Sequence, residues 1–474
     1  MTPRPIRLNA FDMNCVVHQS PGLWRHPADR AWRYKDLDYW LHLARLLERG
    51  RFDALFIADV LGVYDVYGGG PEAALRHGTQ VPVNDPLLLV PAMATVTRHL
   101  GFGVTASTGF EHPYPFARRM STLDHLTDGR AGWNVVTSYL ESGARNLGLP
   151  AQTSHDERYD VADEYLDVCY ALWEGSWEDG AVVRDAQRGV FADPAKVHPI
   201  EHEGRWFHVP GIHLSEPSRQ RTPVIFQAGA SGRGRRFAGR HAEAIFTSGP
   251  TIEVIAPLVA KLREELRAAG REPGDARVYT MATVIVDETS RGARAKHDEL
   301  RRHASPEAAL VLLSGWTGID LSGHDLDAPL QGADAQAIQS AASVFMGSSP
   351  EGRRWTLREI AEWAGIGGRG PVFAGSATEV ADAMQEWVDE TDVDGFNLAY
   401  AITPQTFEDV VEHLVPELQR RGVHRRDYAD SSLRDRLFGA GDRLPERHPG
   451  ARYRRSASQP RSTSAGGTVA GRTS

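Results

Sequence analysis

Short apolar runs rich in Val, Ile, Leu and Phe recur along the chain, separated by longer stretches of helical character. Strands are predicted over 6–13, 53–58, 101–107 and 130–137. Helices are predicted between them over 37–49, 85–99, 113–126 and 156–173, with Gly50 ending the first and Pro86 at a first-turn position of the second. The alternation predicts parallel βαβ units. It breaks over 174–221, which is rich in Gly, Pro and polar turns, with short strands expected at 206–209 and 212–213. Strands follow at 223–228, 243–247 and 278–286. A second break spans about 305–370, and a last strand at 395–400 precedes a helix over 404–420. Eight strands with intervening helices predict an α/β fold, one (β/α)8 TIM barrel over 1–440 carrying two large insertions, 174–221 and 305–370. No GxGxxG follows the first strand, which argues against a dinucleotide-binding open sheet. Residues 449–474 hold five Arg, no acid and many Ser, Thr and Gly, and are expected to form a disordered basic tail.

Composition narrows the class. A net charge of −9 over 474 residues gives no general attraction to nucleic acid. No apolar run of about 18 residues exists, so no membrane span is expected. The start, MTPRPIRLNAFDMN, lacks the apolar core of a signal peptide, and two cysteines are too few for a disulfide framework. A cytoplasmic enzyme is expected.

Candidate chemistry lies where predicted strands end. The segment STLDHLTDGRAGWNVVTS, 121–138, runs from a helix through a Gly-punctuated turn into a strand with polar Thr137 and Ser138 at its end. Such strand ends carry the chemistry of α/β barrels. Asp59 closes the apolar run FDALFIAD and either faces the site or caps a turn. Thr105, inside GFGVTAST, is either a site hydroxyl or a β-former with a satisfied one. His155 and Tyr159 are four apart at a helix start, on one face, where they either flank a bound anion or pack on the surface. The loop QAGASGRGRRFAGR, 227–240, sets Gly229, Gly232 and Gly234 around Ser231 with Arg233, Arg235 and Arg236 behind, a pattern that favours phosphate contact over a plain turn. His18, Trp24, Arg25 and His26 follow the first strand in HQSPGLWRHP and suit a substrate pocket, with Cys15 nearby. No histidine spacing supports a metal site, and no GxSxG supports acyl transfer, so a bound cofactor is the better source of chemistry.

Several blocks in order resemble one family. They include HQSPGLWRHP (18–27), RFDALFIAD (51–59), NDPLLLVPAMA (84–94), HPYPFARRMSTLDHLTDGRAGWNVVTS (112–138), HDERYDVADEYL (155–166), PVIFQAGASGRGRRFA (223–238), GPVFAGSATEVADAMQEWV (370–388) and the stretch 394–422. The chain thereby resembles the bacterial-luciferase-like flavin monooxygenases, in the group of nitrilotriacetate monooxygenase component A, pristinamycin synthase and dibenzothiophene-sulfone monooxygenase. The resemblance implies a barrel that binds FMN as FMNH2, supplied by a separate NAD(P)H:flavin reductase, and reacts with O2 through a flavin peroxide to oxygenate a small organic substrate. It places FMN contacts on Asp59, Thr105, His155, Tyr159 and Ser231, the last two at the phosphate, with Asp59 and Thr105 nearer the ring and Asn134 lining the same pocket. The 305–370 segment and the 18–26 loop are the expected lid.

No catalytic acid or base is assigned; His18 and His155 are the candidates. A homo-oligomer, dimer or tetramer, is expected. The substrate stays open: Trp24, Tyr64 and Tyr67 suit an apolar or aromatic compound, Arg25 and His18 a carboxylate. The rival readings are a deazaflavin-dependent oxidoreductase on the same barrel, a noncatalytic flavin-binding protein and, more weakly, a metal-dependent barrel hydrolase.

Overall fold

Eight parallel strands close on themselves in the computed structural model, which describes residues 3–229, 231–327 and 356–455. β1 (Arg7–Met13), β2 (Ala54–Ala58), β3 (Gly101–Ser107), β4 (Ala131–Val136), β5 (Val224–Gln227), β6 (Ala244–Thr247), β7 (Arg277–Asp287) and β8 (Gly395–Ala399) pair in that order, and β8 returns to β1. The fold is the (β/α)8 barrel that the alternation predicts. Both faces of each strand are buried. Phe11, Phe56, Phe226 and Met281 fill the barrel interior. Leu8, Ala10, Leu55, Ile57, Phe102 and Val104 pack outward into the shell shared with the helices. Double burial is why the strands read as continuous apolar runs. The lower end is plugged by the helix Leu433–Phe438, whose Leu433 and Leu437 enter the inner cluster. Arg434 of that helix is buried and grips Glu243 with two bonds of 2.6 and 2.8 Å.

Several elements depart from the expected ones for local reasons. The helix expected over 85–99 shrinks to a 3-10 turn, Pro86–Leu88, and Val90–Ala94. Thr95 and Thr97 hydroxyls take the carbonyls of Ala92 and Met93, and the Glu48 carboxylate captures the backbone N–H groups of Arg98, His99 and Leu100. Competing side-chain bonds of this kind stop helices. The final helix carries a π turn, Val410–Leu414, immediately before Pro416, which has no N–H to continue the ladder.

The first insertion holds two small hairpins, Val182–Asp185 with Val190–Ala192 and His202–Glu203 with His208–Val209. Residues 212–213 form no strand, because the His213 N–H is donated to Ser176 Oγ at 2.8 Å and its carbonyl accepts from Trp177 at 2.8 Å. The second insertion contributes the helices Pro306–Thr317 and Leu357–Ala364, packed through Ala309, Leu310, Leu313, Ile360 and Ala361. Its stretch 328–355 lies outside the described residues. After it comes an accessory strand, Val372–Ser376, paired with the outer half of β7 and absent from the sequence reading.

Packing continues past the tail boundary expected at 449. Pro449–Tyr453 is a 3-10 turn with Ala451 buried, Arg452 bonded to Asp167 at 2.8 Å and Arg454 to the buried Glu174 at 3.0 Å. Residues 456–474 of the expected tail lie outside the described residues. Among the described residues no helix is long and apolar enough to cross a membrane.

Candidate active site

Two helix N-termini meet above the ends of β4 and β5. The helix His155–Tyr170 starts at His155, and the helix Gly232–His241 is capped by Ser231, whose Oγ accepts from Gly234 N at 3.0 Å. His155 Nε2 lies 3.2 Å from that same Oγ, so the two positive helix ends converge. The Gly-rich loop is shaped around the Tyr159 hydroxyl. A Cβ on Gly234 would stand 2.8 Å from it, and one on Gly229 would stand 2.9 Å away, so only glycine leaves this hollow open. Burial raises the Tyr159 pKa and keeps the phenol protonated, hence a donor. Hydroxyl donors, free helix N–H groups and an open hollow fit a phosphate monoester. Arg233 is less available than its place in the loop suggested: it pairs with Asp160 at 2.8 Å and Asp163 at 2.6 Å and stacks over the Tyr159 ring.

The barrel mouth holds the other expected residues. Thr105 and Asn134 are register partners on β3 and β4, both 4% exposed. Asn134 Nδ2 donates to Thr105 Oγ1 at 2.9 Å, which leaves Asn134 Oδ1 buried without a partner. A buried unpaired acceptor costs about 1–3 kcal/mol unless a ligand supplies the donor. Asp59 follows β2, and burial, with the Asp85 charge second, raises its pKa to about 7. It is therefore a protonated donor below about pH 7 and half ionised near neutrality. An orphan amide oxygen and a neutral carboxyl fit the donor and acceptor edge of a flavin ring.

His18 is 1% exposed, stands edge-on to Phe11 with centroids 4.3 Å apart, and is lowered by burial to a pKa of about 3. It is a neutral imidazole whose Nδ1 has no partner. His155, the other candidate acid or base, belongs to the anion hollow, with its second ring nitrogen 2.7 Å from Asp156. Of the loop after β1, Trp24 donates its indole N–H to His77 O, and Arg25 spends its donors on the carbonyls of Gly22 and His303. Arg25 thus pins the loop instead of offering a charge to substrate.

Tyr64 follows β2 and is buried, and its hydroxyl meets that of Tyr139 at 2.5 Å. Sequence reasoning missed Tyr139, Trp316 and Arg369, which gather on the same wall. The run Gly367-Gly368-Arg369-Gly370 was the signal that could have exposed the arginine. Among the described residues one trio has the makings of a metal group, His26, Glu299 and His303. There His26 Nδ1 accepts the Ala28 N–H at 3.2 Å, so its proton sits on Nε2, facing Glu299 at 3.3 Å. That is a hydrogen bond, not a ligand lone pair.

A parallel barrel with two helix N-termini converging beside a polar mouth has the geometry of a cofactor-binding enzyme of the α/β-barrel class. The comparisons fix the family: residues 11–394 match the luciferase-like monooxygenase model, and the chain belongs to that family. It is 52% identical over 450 residues to dimethyl-sulfide monooxygenase of Hyphomicrobium sulfonivorans, covering 95% of this chain and 94% of the relative. A crystal structure of DmoA from that organism superposes with a TM-score of 0.90, at 52% identity and with 95% and 96% of the two chains covered. Riboflavin lyase, solved with modified FMN and riboflavin, superposes at a TM-score of 0.87 with 37% identity, covering 96% of this chain and 100% of that one. Nitrilotriacetate monooxygenase component A of Aminobacter aminovorans is 35% identical over 424 residues, 88% of this chain and 93% of its own. The protein is a flavin-dependent monooxygenase.

Proposed function

We propose that the protein is the oxygenase component of a two-component system, taking FMNH2 from a separate NAD(P)H:flavin reductase and using O2 to oxygenate a small organic molecule. The observation that carries FMN over an unphosphorylated flavin is the hollow made by Ser231, Tyr159 and His155 at two helix N-termini. Riboflavin lyase, bound to a modified FMN on the same fold, supports the same choice, and the name of the nitrilotriacetate relative, a component A, supports a separate reductase. Reduced flavin, when bound, supplies the oxygen-activating chemistry. Ser231 and Tyr159 bind the phosphate by donation, and His155 holds the Ser231 hydroxyl. Asn134 Oδ1 accepts from the ring edge, while its amide stays fixed by Thr105. Asp59, in its protonated form, donates to the same edge. The aromatic wall of Tyr64, Tyr139 and Trp316 excludes water, which an oxygenase needs to avoid wasteful hydrogen peroxide release.

The test is to supply purified protein with FMN, NADH and 18O2, with and without an unrelated flavin reductase. NADH consumption by the chain alone should be negligible, and label should enter an added organic sulfide only when the reductase is present. Rapid NADH oxidation without reductase refutes the two-component reading.

A further inference from the structure

Among the described residues, one charged side chain at the mouth has no counter-charge. Arg369 lies in the turn Gly367-Gly368-Arg369-Gly370, where Gly367 and Gly368 take φ of +75° and +65°. A Cβ on Gly367 would stand 2.3 Å from Thr283 Oγ1, and one on Gly368 would stand 2.2 Å from Gln19 Oε1. The turn is clipped to the loop after β1 by Gly367 N donating to Ser20 Oγ at 3.1 Å. Two left-handed glycines and this clip hold one arginine in a fixed place.

Its guanidinium lies 4.9 Å over the Trp316 ring and near the Tyr64 and Tyr139 hydroxyls. No carboxylate among the described residues pairs with it. Arg369 is partly buried, and the desolvation lowers its pKa, so the charge is held at a cost. Tyr139 keeps 45% of its surface accessible beside the buried Tyr64, so its hydroxyl can be reached from outside. Tyr64 follows β2, as Asp59 does, and Tyr139 follows β4, which carries Asn134, so this wall stands at the same end of the barrel as those residues.

We propose that Arg369 is the residue that reads the substrate: it receives an oxyanion group, a carboxylate or sulfonate, with Tyr139 as second donor, and so turns the uncharged part of the molecule toward the flavin. An arginine fork on an aromatic face is suited to a planar or tetrahedral oxyanion. This deepens the monooxygenase reading and rests on it. It also sets this chain apart from its relative named for dimethyl sulfide, a neutral molecule.

The probes are methylthio-alkanoates and methylthio-alkanesulfonates of increasing chain length, each matched to its neutral methylthio-alcohol. Binding is read by saturation-transfer NMR and titration calorimetry on the FMN-loaded full chain, with no reductase present. At least one acid of the ladder should bind wild type and exceed its alcohol. Arg369→Leu should bind that acid about tenfold or more weakly, the size of a lost charge-assisted hydrogen bond. Alcohol binding and FMN affinity should stay unchanged, and Arg369→Lys should recover part of the loss. The carboxylate and sulfonate arms tell which oxyanion fits. Equal binding of acids and alcohols, or no acid binding to wild type, overturns the proposal. A parallel loss of FMN in Arg369→Leu reassigns the arginine to the cofactor and overturns it too. Because no turnover is involved, failure of the reductase test leaves this result readable on its own.

Discussion

Replacing Ser231 by alanine separates two jobs that one hydroxyl performs. As a helix N-cap its Oγ accepts from Gly234 N at 3.0 Å, and losing such a cap costs about 1 kcal/mol of stability with any ligand or none. As a phosphate donor it makes a charge-assisted bond worth about 1.5–3 kcal/mol, roughly 10- to 150-fold in affinity. Ser231→Ala should therefore lower the melting temperature of the ligand-free protein modestly and weaken FMN by that larger factor. Riboflavin, which lacks the phosphate, should weaken far less. Tyr159→Phe is the complementary change. It keeps the ring that packs on Phe237, His155 and Arg233, removes only the hydroxyl, and should leave the melting temperature nearly unchanged while costing FMN affinity by a similar factor. The two hydroxyls serve one phosphate, so the double variant should fall short of the sum of the singles. The assay is the dissociation constant of reduced FMN and reduced riboflavin, titrated anaerobically against each variant. If both flavins weaken equally in Ser231→Ala and in Tyr159→Phe, the phosphate is bound elsewhere and the hollow at the two helix ends is only a packing feature.

Two other outcomes follow from charge and burial. Asp59, raised to about 7 by burial and Asp85, binds its proton more tightly in the folded chain than in the unfolded one. Its stabilising share is present below the ordinary carboxylate range and is lost as pH rises through about 7. FMN affinity should fall as pH rises through about 7, where the donor ionises in the folded chain, and Asp59→Asn should flatten both profiles; a wild-type profile that stays flat through neutrality would contradict the assignment. A chain ending at Arg455 should keep the full melting temperature. One ending at His448 should melt lower, because it strips Arg454 from the buried Glu174 carboxylate and Arg452 from Asp167, the first worth about 1.5–3 kcal/mol; equal melting of the two chains would show that the docked turn adds nothing.

The barrel was legible because each strand is buried on two faces and therefore keeps its apolar run whatever its neighbours do. Leu37–Arg49, Gly101–Ser107 and Pro113–Leu126 fall where the pattern places them. The insertions were not legible, because their backbone is held by distant side chains. Glu164, on the helix His155–Tyr170, takes the N–H groups of Arg205, Trp206 and Phe207 with bonds of 2.8–3.2 Å, and no periodicity over 174–221 could announce that. The tail boundary failed for a related reason. The basic residues Arg452 and Arg454 look solvated in sequence, yet their acids wait on the helix end at Asp167 and Glu174, almost three hundred residues earlier.

The two ends of the site differ in the same way. The phosphate end is local chemistry: a serine cap, three glycines and a helix start each carry their meaning within a few residues, and a fold that brings two such helix ends together makes an anion site almost regardless of what surrounds it. The proposed substrate end is assembled from Tyr64, Tyr139 and Arg369, each from a different loop, and Trp316, from the helix Pro306–Thr317. Taken singly, each has an ordinary place in a protein, a core tyrosine, a surface tyrosine, a tryptophan on a helix and an arginine in a turn. Only their meeting leaves the arginine without an acid partner among the described residues, and the cost of desolvating it unpaired is what the proposed oxyanion would offset. Family resemblance points to the first end, which is proposed to hold the cofactor. The second end must be read from this chain's own geometry, because there the relatives are free to differ.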